Sequence, residues 1–366
     1  MASPKLFTPL VLKGLHLENR IAVAPMCQYS AEDGIATAWH DQHYGALALG
    51  GAGLVVVEAT GVTPDGRISP YCLGLWNDAQ TQAFAQMIKR IKSFSSAKIG
   101  IQLAHAGRKG ASPRSGDTAP GDTVNSYWPV MSASAVAFDY GWQTPQAMTT
   151  DDMARVTQAF VDAARRAVAA GFDIIELHSA HGYLLHQFLS PLSNRRTDEY
   201  GGSLENRMRF PLDVIRAVRA ALPAQFPLGV RVSATDWVDD GLTVDESVTY
   251  ALRYAELGLD YVCVSSGGLL PKAPIPVGPG YQVGLAKALS RALKEKGYPI
   301  AVRAVGMITD PVQAESILAA GDADWVALAR GMLDNPHWAW HAAKRLGVEI
   351  AYPRQYERAS PRRLWR

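Results

Sequence analysis

Residues 173–183 read Asp-Ile-Ile-Glu-Leu-His-Ser-Ala-His-Gly-Tyr. The run Ile174–Leu177 has the largely apolar character of a strand buried on both faces, the mark of a parallel sheet. It delivers His178, His181 and Tyr183 at its C-terminal end, where parallel α/β proteins keep their chemistry. The spacing lets both imidazoles face one small oxygen atom, with the phenol a turn further on. Two other readings compete on these residues alone. A histidine pair also suits a metal, and it also suits two packed or exposed loop histidines.

The same pattern recurs along the chain. Eight short runs read as strands: 20–25, 53–60, 98–105, 172–178, 228–233, 261–266, 300–305 and 325–329. A helical run follows each, at 41–50, 79–93, 151–170, 204–222, 244–257, 284–296, 311–320 and 336–345. Thr150 or Asp151 can cap the third helix and Gly171 can close it, while Asp310-Pro311 opens the seventh and Gly321 ends it. Eight strand–helix units predict an α/β (β/α)8 barrel. A doubly wound sheet would carry a glycine-rich fingerprint after its first strand, and none follows Val23. Residues 1–19 predict a hairpin closing the barrel floor. Residues 108–148, rich in Gly, Pro, Ser and Asp, form a connection after the third strand long enough to be a lid. A single domain over residues 1–366 is expected, with residues 352–366 as a C-terminal arm.

Composition narrows the function. The 366 residues are 48% hydrophobic and 19% charged with a formal net charge of +2, so no basic field points to nucleic acid. No apolar run is long enough for a bilayer, and the N-terminus lacks a signal-peptide pattern. The three cysteines, Cys27, Cys72 and Cys263, form no CxxC pair and fit a reducing, cytoplasmic setting. No Asp/Glu cluster accompanies the histidines, so no metal site is expected. No lysine marks an obvious strand end, which weakens Schiff-base chemistry.

Other strand ends add to the constellation. The first ends at Ala24-Pro25-Met26-Cys27-Gln28-Tyr29, the second at Glu58-Ala59-Thr60 and the third at Gln102-Leu103-Ala104-His105. The fifth carries Arg231, a buried cation that needs an anion; Asp236 is one partner and a bound cofactor another. The sixth ends at Ser265-Ser266-Gly267-Gly268. The last two end near Val305-Gly306 and Ala329-Arg330-Gly331, where barrels commonly hold phosphate, with Arg330 as the charged clamp.

Four stretches together resemble the Old Yellow Enzyme family of FMN-dependent ene-reductases and NADPH dehydrogenases: residues 24–29, 102–108, 178–183 and 195–207. The likeness extends over residues 6–358. Cys27 with Tyr29 is similar to the bacterial thermophilic-like and xenobiotic-reductase subclass. The resemblance implies non-covalent FMN at the barrel mouth, with Ala24, Pro25, Met26 and Cys27 lining the ring system. Ala59 and Gln102 would meet its polar edge, and Arg231 the negative charge of the reduced form. Val305, Gly306, Ala329 and Arg330 would hold the phosphate. His178 and His181 would bind the carbonyl oxygen of an enone, enal or maleimide, Tyr183 would protonate the α-carbon, and Tyr29 would position the substrate. NADPH would be the reductant, with NADH an alternative, in a ping-pong cycle. Gln355-Tyr356-Glu357-Arg358 resembles a subclass motif whose arginine enters a neighbour's active site, implying a homodimer or homotetramer. Val305 stands where some xenobiotic reductases place a tryptophan, implying a roomier pocket. Two rivals remain: a flavin-free lyase or isomerase barrel, and a non-catalytic flavin-binding barrel.

Overall fold

Strands that are apolar on both faces must be covered on both, and here the sheet closes on itself inside a ring of helices. The computed structural model describes residues 3–121 and 123–361. Eight parallel strands form the closed barrel: β3 (Ile21–Val23), β4 (Leu54–Gly61), β5 (Lys98–Ala104), β8 (Ile174–Ser179), β9 (Leu228–Ser233), β10 (Tyr261–Ser265), β11 (Ala301–Ala304) and β12 (Trp325–Leu328). They pair in chain order, and β12 closes on β3 through Ala327 opposite Ala22. The (β/α)8 architecture expected from the alternation is the one observed.

Alternation sorts the side chains into two cores. One lies between strands and helices. The other fills the barrel with Ala22, Leu54, Val56, Ile174, Tyr261, Cys263 and Trp325. An antiparallel hairpin, β1 (Leu10–Leu12) with β2 (Leu15–Leu17), adds Leu10, Leu12 and Leu17 to the inner core. Within it Glu176 is fully buried and meets Arg303, the Tyr261 hydroxyl at 3.2 Å and the Gln102 amide at 2.8 Å.

The helices follow their boundary chemistry. Between β8 and β9 runs α5 (Leu204–Ala221), capped by Ser203. The long α3 (Thr150–Ala170) is capped by Thr149, one residue before the expected cap, because Asp152 at the third position reciprocates its hydrogen bond. Gly171 closes it at φ 90°. Asp310 caps α8 (Pro311–Ala319). Two short helices were not expected: α4 (Leu184–Leu189) and α9 (Arg330–Asp334). Every residue of α4 is buried, so no polar face reveals its helical period. The segment after β5 contains only a short parallel pair, β6 (Met131–Ser132) with β7 (Gln146–Ala147). Arg108 ties it down, donating to the carbonyls of Val136 and Ala137.

Among the described residues no helix is long and apolar enough to cross a membrane.

Candidate active site

The C-terminal ends of the strands enclose a cavity of about 270 Å³, lined by Pro25, Cys27, Tyr29, Ala59, Ile68, Gln102, His178, His181, Tyr183 and Arg231. All but Ile68 were singled out from the sequence. Ala24 is buried, Met26 half-buried, and neither lines this cavity. Val305 is buried in the inner core and does not line it either. Gly306 is half-buried, Arg330 is exposed, and both lie at the neighbouring ends of β11 and β12. Arg358 is exposed on the turn Arg354–Ala359 and is not part of the cavity wall. The last residues of the expected arm, 362–366, lie outside the described residues.

The β8 run builds one wall. His178 stands at its end, 3% exposed, with its ring edge-on to His181 at 5.1 Å and to Tyr183 at 4.9 Å. The turn that gathers them is tight. His181 sits at φ 57° and Gly182 at φ 72°, where a Cβ on residue 182 would lie 2.4 Å from the Gly268 carbonyl. The His181 N–H donates to Ser233 Oγ at 2.9 Å, and its carbonyl accepts from Lys109 Nζ at 2.9 Å. Its Nε2 lies 2.7 Å from Ser265 Oγ.

Burial first, then the charge of Arg231, holds both imidazoles well below the usual histidine range. Both are neutral at pH 7. Burial likewise pushes the Tyr183 phenol well up, so it keeps its proton. Burial and the adjacent Arg108 bring Lys109 down to about 8.

A second wall depends on a bulge. The β4–β5 register shifts between Val57 and Ala59, which brings Ala59 opposite Gln102 and turns Glu58 outward. Glu58 then accepts from the Gln28 backbone N–H at 3.0 Å and the Tyr44 hydroxyl at 3.1 Å. Those bonds fix the loop that carries Cys27 and Tyr29. Cys72 hydrogen-bonds Cys27, and with burial this pushes the Cys27 thiol well up.

Arg231 occupies a third wall. The proposed partner Asp236 is taken by Ser190 at 2.7 Å, the Leu242 N–H at 2.8 Å and His186 at 3.1 Å. Among the described residues Arg231 makes no ion pair, and its buried Nε has no hydrogen-bond partner. No group of three or more metal-ligating side chains occurs among the described residues.

Sequence reasoning missed four contributors. Lys109 stood beside the quoted Arg108, and Ser265 was quoted without a role. Ile68 and Cys72 carried no signal, since only the folded loop brings them here.

The chain matches the model of the NADH:flavin oxidoreductase / NADH oxidase family over residues 5–349. It belongs to that family. The motifs read as Old Yellow Enzyme therefore identify a flavin oxidoreductase. NADPH dehydrogenase of Geobacillus thermodenitrificans (strain NG80-2) is 50% identical over 355 residues, covering 96% of this chain and 98% of the relative. NADPH dehydrogenase of Bacillus subtilis (strain 168) is 46% identical, covering 97% and 98%. The solved structure of morphinone reductase superimposes with a TM-score of 0.77 at 29% identity, covering 95% of this chain and 91% of its own. A 2-naphthoyl-CoA reductase complex shares the fold at a TM-score of 0.83 and 23% identity, and the chain spans about half (52%) of it.

The site of this flavin oxidoreductase suits FMN. Arg231 offers a half-buried cation, with no ion pair among the described residues, to the anionic edge of a flavin. Gln102 spends its Nε2 on Glu176, which leaves Oε1 free to accept from a ring N–H. Gly306 lies at φ 116°, and a Cβ there would come within 2.7 Å of Gln282 Nε2. Its bare backbone suits close approach by a phosphate.

Proposed function

We propose that this flavin oxidoreductase reduces the C=C bond of α,β-unsaturated carbonyl compounds, with enones, enals and maleimides as the substrate class and NADPH as the reductant. The observation that carries the reading is the shared cavity wall: two neutral imidazoles and a protonated phenol, opposite an arginine with no ion pair among the described residues.

His178 and His181 hold the carbonyl oxygen. Because burial keeps them neutral, they donate hydrogen bonds that strengthen as enolate charge grows on that oxygen. FMN, when bound beside Arg231, supplies the hydride that reaches the β-carbon. Tyr183 gives its proton to the α-carbon, which completes a two-electron, two-hydrogen reduction. Tyr29 positions the substrate. Ala24, Pro25, Met26, Cys27, Ala59 and Gln102 surround the ring system, and Val305, Gly306, Ala329 and Arg330 hold the phosphate. Reductant and alkene bind in turn against the histidine pair.

The Cys27 and Tyr29 motif carries the reading of a thermophilic-like subclass, and identities near 50% to NADPH dehydrogenases support NADPH as the reductant. On that reading the enzyme is a cytoplasmic homodimer or homotetramer, built as one domain. The exposed Arg358 reaches a neighbouring active site, and residues 108–148 cover the cavity.

An anaerobic absorbance spectrum tests the cycle. A flavin band should bleach with NADPH and return with 2-cyclohexenone. A colourless protein that cannot be reconstituted with FMN would sink the reading. Tyr183→Phe should slow reoxidation by enones on the order of a hundredfold while flavin reduction stays nearly intact. Equal loss in both halves would remove the proton-donor role.

A further inference from the structure

The functional reading requires His181 to donate a hydrogen bond into the cavity, yet one of its ring nitrogens is already engaged. Nε2 lies 2.7 Å from Ser265 Oγ, so the group that faces substrate must be Nδ1. Whether Nδ1 carries a proton depends on which way the Ser265 hydroxyl points. A neutral imidazole has one N–H, and the bond made by one nitrogen fixes the state of the other.

Ser265 is 4% exposed and has one proton to place. Two acceptors compete for it: His181 Nε2 at 2.7 Å and Gln282 Oε1 at 3.3 Å. The longer contact lies beyond the usual O–H···O range, and the shorter one is a normal bond. Gln282 Oε1 also already receives the Ser266 hydroxyl at 2.6 Å. The ring has little freedom to escape this contact, because the His181 backbone is held by Ser233 on one side and Lys109 on the other.

We infer that Ser265 is a positioning residue that donates to His181 Nε2 and thereby fixes the Nδ1–H tautomer, the form that can donate to the substrate oxygen. Ser266 supports it by making the shorter bond to Gln282 Oε1, at 2.6 Å, while Ser265 meets that oxygen only at 3.3 Å. With the opposite tautomer, His181 would present a lone pair to a developing oxyanion and oppose the reaction. This inference rests on the reading that His178 and His181 hold that oxygen.

Nitrogen-15 NMR of the oxidised holoenzyme, together with titration by phenol as an oxyanion mimic, tests it. The wild-type spectrum should show His181 protonated at Nδ1 and bare at Nε2. Ser265→Ala should lose that preference and bind phenol roughly tenfold more weakly. Ser265→Thr, which keeps the hydroxyl, should retain both. A wild-type His181 protonated at Nε2 overturns the proposal, and that spectrum decides the matter even if the alanine variant does not fold. Unchanged phenol affinity in Ser265→Ala also overturns it when His178→Ala weakens binding, and the oxyanion reading then survives. If neither variant weakens phenol, that reading falls as well.

Discussion

Arg231 and Arg303 occupy the same level of the barrel, each in register with Cys263 on the strand between them. Their surroundings are opposite. Arg303 is fully buried, binds Glu176 and lies over the rings of Trp325 at 4.7 Å and Tyr261 at 5.1 Å. Arg231 faces the cavity without an ion pair among the described residues. The difference separates a fully buried charge from a half-buried one that opens on the cavity. A cation whose partners come from the protein serves the fold. On the proposed function, a cation left unpaired is held in place for a ligand, and the fold bears the cost of keeping it.

The comparison breaks or holds first on stability. Arg303→Met strands Glu176 inside the barrel, and breaking a buried pair from one side costs about 3–5 kcal/mol. Denaturant unfolding should show a loss of that size. Adding Glu176→Gln should recover part of it, because no lone buried charge remains. A loss below about 1 kcal/mol for Arg303→Met would mean that the pair does not hold the barrel.

Arg231→Met should behave differently. The apoprotein should keep its stability within about 1 kcal/mol, since no protein partner is stranded. FMN affinity should fall roughly tenfold to a hundredfold through loss of a charge-assisted bond. Fluorescence titration of the apoprotein with FMN measures it. Undiminished affinity, or a stability loss matching that of Arg303→Met, would erase the distinction between the two arginines.

Nothing local distinguishes them. Arg231 lies in Gly-Val-Arg-Val-Ser and Arg303 in Ala-Val-Arg-Ala, both apolar strands with one cation. Arg303 is paired with Glu176, which lies on β8, while the acid nearest Arg231 in sequence, Asp236, turns out to serve His186. The eight strands were legible because a doubly covered strand must be apolar throughout. The site was legible because parallel barrels gather chemistry at strand ends and four motifs resemble one family. The α4 helix was not, because a wholly buried helix shows no amphipathic period. Nor was the bulge at Glu58, or the meeting of Cys72 with Cys27, because each exists only once distant segments pack.

The smallest effect sharpens the comparison furthest, because it reads the field of Arg231 directly. Burial is the main cause that holds His178 and His181 below the usual histidine range, and Arg231 is the next. A group whose pKa is lower in the folded state leaves more protons on the unfolded chain. Its contribution is therefore complete above the unfolded value of about 6.5 and is lost as pH falls toward the folded value. His105, lowered to about 4 chiefly by burial, acts in the same direction. Apoprotein stability should thus decline on acidification from pH 6.5 toward pH 4. Arg231→Met removes one cause for the histidine pair and leaves burial in force. Its His178 and His181 should titrate at higher pH than in the wild type, still below the usual range, and its acid decline should be shallower. Arg303→Met should leave both titrations where they are, since Arg303 is not among the charges acting on either imidazole. Proton NMR titration of the three apoproteins separates these outcomes. Equal movement in both variants, or none in Arg231→Met, would show that the unpaired arginine does not lower the titration of the two histidines.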